Sequence, residues 1–303
     1  MSEVRQCPQP ATMSLQSGNG YCFVLKLGNP EFSVAMTDTS RSIATGANSS
    51  NLLGIPSGLL ASASFNEFPI ALSIRGVREA HADLFDELSQ CASLEQARQI
   101  FQRYMDTLFE LNLKRSGARR FHSSYLRLLK DWGFDSNSPA GAVLKGWVES
   151  RFGLFPSFHK APIRRFNSPE WIVYVEEKMS SRFNNNNILA QLDVLYEFSQ
   201  WVLARFVATG KRHLTLYRGT NDLREQQLLQ QLDPRSAIVR LNNLVSFTSQ
   251  RNIADEFGDS IIEVEVPIVK ILFFNELRSP CLLQGEAEYM VIGGDYRVAV
   301  SYF

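Results

Sequence analysis

Cysteine is scarce in this sequence. Its 303 residues hold four, Cys7, Cys22, Cys91 and Cys281, set far apart with no C-x-x-C among them. Such spacing excludes a zinc knuckle or a redox pair and points to free thiols of the kind cytosolic proteins carry. Long apolar runs are also missing. No stretch approaches the roughly 20 apolar residues that span a bilayer, and the opening Met1-Ser2-Glu3-Val4-Arg5 lacks the apolar core of a signal peptide. A cytoplasmic location is the expectation. Neither sign of charge is in excess, because 31 Lys+Arg balance 31 Asp+Glu. A global field that would draw in nucleic acid or anionic lipid is therefore excluded, and any partner must be recognised locally.

The common site fingerprints are absent too. The chain has no G-x-G-x-x-G after a strand, no G-x-x-x-x-G-K-[ST], no H-E-x-x-H and no G-x-S-x-G. Its four histidines, His81, His122, His159 and His213, are scattered, and none is assigned a catalytic role. What is present is core-forming material: 45% of the residues are hydrophobic and 20% charged, enough for a folded domain of this length.

Residues 1–70 mix Ser, Asn and Gly with short apolar runs and read as irregular. From Val77 the pattern becomes helical. Ala80, Leu84 and Leu88, then Ala97, Ile100, Phe101, Tyr104, Met105 and Leu108, recur at three- and four-residue spacing, with a break near Ser89–Ser93. Ser138-Pro139 and Ser168-Pro169 read as helix starts, a serine cap followed by proline in the first turn. Gly153 and the run Asn184–Asn187 read as stops, and Ile188 to Ala208 as a further helix ended by Gly210. Beyond Gly210 the runs are β-type: Leu214–Tyr217, Leu244–Phe247, Ile261–Val266, Ile271–Phe274, Tyr289–Ile292 and Tyr296–Tyr302. Alternation in Ile262-Glu263-Val264-Glu265-Val266 predicts one wet and one buried face. Helices first and strands later give an α+β class. The expected division is an irregular segment 1–44 and one domain 45–303, helical over about 75–208 and β-rich over about 210–303.

Three motifs sit in the β-rich part: Leu216-Tyr217-Arg218-Gly219-Thr220, Val245-Ser246-Phe247-Thr248-Ser249 and Gly285-Glu286-Ala287-Glu288-Tyr289. Singly, each is weak and reads more readily as an ordinary strand surface, edge or turn. Their order carries the signal. Arg, then aromatic-x-Ser, then Glu-x-Glu resembles the R-S-E class of mono-ADP-ribosyltransferases, which bind NAD without a Rossmann fingerprint. Longer strings, Arg75 to Phe85, Tyr217 to Asn221, Arg240 to Phe247 and Tyr289 to Gly294, resemble the dinitrogenase reductase ADP-ribosyltransferases of nitrogen-fixing bacteria over about residues 45–300.

The resemblance implies a mono-ADP-ribosyltransferase fold with NAD as co-substrate. It also implies roles residue by residue. Arg218 clamps the NAD pyrophosphate with its planar fork of donors, with Gly219 and Thr220 beside it in the NAD-binding set. Ser249 matches the serine that braces the catalytic glutamate, with Ser246 as the alternative. Glu288 is the catalytic carboxylate, and Glu286 orients the acceptor arginine and takes its proton. The stretch Leu277 to Gly285 corresponds to the loop that reads the protein acceptor. The reaction calls for charge stabilisation, so no metal is required. The implied protein substrate is dinitrogenase reductase, the nitrogenase iron protein, with a P-II signalling protein as regulator. An NAD glycohydrolase, a different protein target and a catalytically silent NAD-binding module are the competing readings.

Overall fold

The computed structural model describes residues 51–111, 124–221, 227–277 and 288–302, all within one compact unit, Ser42–Phe303. Its first half is helical: α1 (Ser57–Ala61), α2 (Ala63–Glu67), α3 (Val77–Ala80), α4 (Ala82–Ser89), α5 (Leu94–Leu108), α6 (Tyr125–Phe134), α7 (Pro139–Phe152), α8 (Pro169–Ser180) and α9 (Asn186–Val202). A two-strand hairpin, β1 (Phe158–His159) and β2 (Ala161–Pro162), separates α7 from α8. Then come β3 (His213–Thr220), β4 (Gln227–Asp233), β5 (Ser236–Thr248), the short α10 (Arg251–Ala254), β6 (Ser260–Pro267), β7 (Ile271–Phe274) and β8 (Glu288–Tyr302). The class is α+β, as the segregated periodicities require.

Local chemistry explains most boundaries. Ser138 and Ser168 accept from the backbone N–H of Gly141 and Trp171, each with proline in the first turn. Gly153 ends α7 in the left-handed region at φ 69°. The asparagine run behaves differently from the expectation. Helix α8 has already ended at Ser180, and Asn185 instead starts α9 by accepting from the N–H of Ile188. Its short side chain serves an N-cap better than a stop. Residues 57–67 also depart from the irregular reading, forming α1 and α2, too short for periodicity to reveal. The segment predicted to continue to Ala208 leaves α geometry at Val202 and finishes as one π-helical stretch, Leu203–Val207.

All sheet pairings are antiparallel, in the order β4-β5-β3-β6-β8-β7, and β5 also pairs with β8. Tyr289–Ile292 and Tyr296–Tyr302 prove to be one long strand, β8, interrupted only by a bulge. The bulge has a packing cause: a Cβ on Gly293 would lie 1.7 Å from the carbonyl oxygen of Asn242, and Gly294 sits at φ 133°. The register between β5 and β8 shifts at this point, between Leu241 and Leu244. β6 alternates as predicted, with Ile262, Val264 and Val266 buried.

The two sheet edges are managed in different ways. β4 is largely exposed, polar and irregular in register. β7 is instead covered by α9, whose polar side chains serve the nearby carbonyls. Tyr196 donates to Val269 O at 2.7 Å, Ser199 to Leu272 O at 2.7 Å and Gln200 to Ile271 O at 2.8 Å. Such cover removes a pairing edge from solvent. Among the described residues no helix is long and apolar enough to cross a membrane.

Candidate active site

Strands β5, β8, β6 and β3 form a circuit of pairings that closes through one pair, Tyr217↔Thr248. That closure brings Arg218 beside β5. Its guanidinium donates from Nη1 to the backbone carbonyl of Ser246 at 2.8 Å. On the other side of β5, Thr248 stands opposite Glu288. Ser246, two residues back, shares that face and is a diagonal neighbour within reach of the long glutamate side chain. The Ser246 hydroxyl donates to Glu288 Oε1 at 2.7 Å. One residue therefore ties the arginine of the first motif, by its carbonyl, to the glutamate of the third, by its hydroxyl.

Ser249 lies elsewhere. It is an odd number of residues from Ser246, beyond the end of β5 and exposed. Its side chain hydrogen-bonds the hydroxyl of Tyr289, which is pushed up to about 12 by burial and by the nearby Glu276 charge, against the opposing pull of that bond. The structure thus brings together Arg218, Ser246 and Glu288 and leaves Ser249 with Tyr289. Glu286 and residues 278–285 of the expected acceptor loop lie outside the described residues, as does the segment 1–44 for which an irregular course was expected. Cys91 is a buried free thiol, and the other three cysteines fall outside the description.

Gly219 is explained by packing. A Cβ there would lie 2.1 Å from Ala254 O, so only glycine lets the α10 turn close over β3. Thr220 is buried opposite Ser260 at the end of the same pairing.

One further residue reaches the site, and nothing in the sequence marks it. Trp132 of α6 donates its indole N–H to Ser246 Oγ at 3.0 Å. With Tyr125, Leu128 and Leu129 it forms a buried helical stripe, a pattern that periodicity reads as plain core. The strings behind the wider resemblance also find physical roles. Glu197 of α9 accepts from Ser73 Oγ, Ile74 N and Arg78 Nε, fastening the start of the Arg75–Phe85 stretch. In Arg240–Phe247, Arg240 forms a two-pronged pair with Asp295 at 2.6 and 2.8 Å. Asn243 donates to Lys145 O in the middle of α7 and to Leu154 O just past its end.

The family model described as dinitrogenase reductase ADP-ribosyltransferase matches residues 50–300. The chain belongs to this family. A curated relative from Rhodospirillum rubrum, named NAD(+)--dinitrogen-reductase ADP-D-ribosyltransferase, is 54% identical over 263 residues, covering 84% of this chain and 95% of the relative. No solved structure matches the chain significantly. Family membership makes the protein an NAD-using ADP-ribosyltransferase, and it accounts for NAD use in the absence of a G-x-G-x-x-G.

Proposed function

We propose that this protein transfers ADP-ribose from NAD to an arginine of dinitrogenase reductase, with Arg218, Ser246 and Glu288 as the working group of the site. The observation that carries the reading is the bridge through Ser246, which holds a phosphate-binding guanidinium and a carboxylate in fixed relation. Arg218 offers donors to the pyrophosphate. Glu288 accepts from the ribose 2′-OH and stabilises the positive charge that grows on the sugar as the C1′–nicotinamide bond breaks. Nicotinamide departs neutral, taking the bonding pair. A guanidinium nitrogen of the acceptor then bonds to C1′, and its proton passes to Glu286, because free arginine is protonated at physiological pH. Ser246 takes the bracing role here, and Ser249, beyond the end of β5 with Tyr289, is given none. Residues 277–285 read the acceptor, a P-II signalling protein regulates the activity, and the reaction takes place in the cytoplasm.

Labelled NAD incubated with the protein and dinitrogenase reductase tests this directly. One labelled arginine on the acceptor is expected, abolished by Glu288→Gln while NAD still binds. Nicotinamide release without label on the acceptor would identify a glycohydrolase, and neither product a binding module.

A further inference from the structure

The site depends on a hydroxyl, and a serine hydroxyl has one proton and a rotor. It can turn toward Glu288 or toward a neighbouring backbone carbonyl. In this protein the choice is constrained from outside the sheet. Trp132 Nε1 lies 3.0 Å from Ser246 Oγ. An indole N–H can only donate, so it occupies a lone pair of Ser246 and leaves the hydroxyl proton for an acceptor elsewhere. Glu288 Oε1, at 2.7 Å, is that acceptor. The direction of the chain, indole to hydroxyl to carboxylate, comes from the chemistry of its first member.

The indole is itself held in place. Trp132 is 3% exposed. The start of α6 is pinned by the Ser124 cap and by Gln191 of α9, which accepts from Tyr125 N at 2.8 Å. Leu128 and Leu129 are fully buried beside it.

We propose that Trp132 is a positioning residue for ADP-ribosyl transfer: its N–H aims the Ser246 hydroxyl at Glu288, so the helical half of the protein sets the orientation of the catalytic carboxylate. The inference rests on the reading of Ser246 and Glu288 given above.

Four proteins test it: wild type, Trp132→Phe, Ser246→Ala and the double variant, each assayed for kcat and for KM toward NAD. Loss of one buried hydrogen bond should lower kcat of Trp132→Phe roughly 3- to 10-fold, with KM changed less than about twofold, since Arg218 is untouched. The double variant should be no slower than Ser246→Ala, because an indole with no hydroxyl to aim contributes nothing to orientation. Replacing Trp132 with benzothienylalanine keeps the ring size and removes only the N–H, and should lower kcat by the same factor without loss of folding. Leu129→Ala supplies the control for packing: melting temperature falls while kcat holds. If the Trp132 and Ser246 losses multiply, or if benzothienylalanine is as active as tryptophan, Trp132 is packing alone and the inference fails. If Ser246→Ala is itself fully active, the reading of the site fails first.

Discussion

Replacing Ser246 and Ser249 one at a time separates two serines that stand three residues apart. Ser246→Ala removes the donor to Glu288 Oε1 and the acceptor of the Trp132 indole. A hydrogen bond to a charged group contributes about 1.5–3 kcal/mol. At about 1.4 kcal/mol per tenfold, that corresponds to a loss of roughly 10- to 150-fold in kcat. The variant also strands a buried indole N–H, at about 1–3 kcal/mol of stability, so a urea titration should show a lower midpoint. Ser249→Ala removes a bond to the hydroxyl of buried Tyr289 from an exposed position that touches neither Arg218 nor Glu288, so kcat should fall about twofold at most. The assay is the initial rate of label transfer from NAD to dinitrogenase reductase, with calorimetric NAD binding to separate affinity from turnover. A larger loss from Ser249→Ala than from Ser246→Ala would refute the reasoning from strand register.

Gly219→Ala should destabilise by about 1–3 kcal/mol and reduce activity, because its Cβ meets the backbone oxygen of Ala254; thermal melting and kcat check both, and an unchanged melting temperature contradicts the packing argument. Asp295→Asn leaves the buried Arg240 charge without its carboxylate and should cost about 3–5 kcal/mol in urea unfolding, whereas a loss below about 1 kcal/mol would show the pair to be dispensable. Lys270 is fully buried, donating to Gly293 O between Phe65 and Tyr296. Burial lowers its pKa from 10.5 to about 7, partly opposed by Asp295. Between those two pH values the unfolded chain binds the proton that the folded one has released, so this group makes stability rise with pH across that window. Lys270→Met should flatten the rise, by at most about 1.4 kcal/mol per pH unit; an identical slope in the variant would remove Lys270 as its source.

Segments whose structure obeys local rules are legible in the sequence. Serine-proline starts, the Gly153 stop, the helical stripes from Val77 to Leu108 and the alternation in β6 depend on residues a few positions apart. Asn185 is harder to read, because asparagine suits both ends of a helix and only its flanking residues decide which end it serves. The polar strand β4 carries no apolar alternation to detect. In β5 the expected Leu244–Phe247 extends back to Ser236, where the N-terminal half pairs with β4 on one side and β8 on the other.

The sequence by itself determined the class of the fold, the family and three motifs in their order, since these reside in composition, short-range periodicity and residue strings. Which serine meets Glu288 was not decided there: the motif pattern favoured Ser249, through Phe247-Thr248-Ser249, over Ser246, yet it is Ser246 that bonds the carboxylate. Tertiary structure decided it. Pairing Thr248 with Glu288 sets the parity of β5 from Leu244 onward and places Ser246 on the glutamate's face, whereas Ser249 lies beyond the end of the strand. The same is true of Trp132, whose 114-residue separation from Ser246 leaves only three-dimensional packing to bring an indole N–H to a serine hydroxyl.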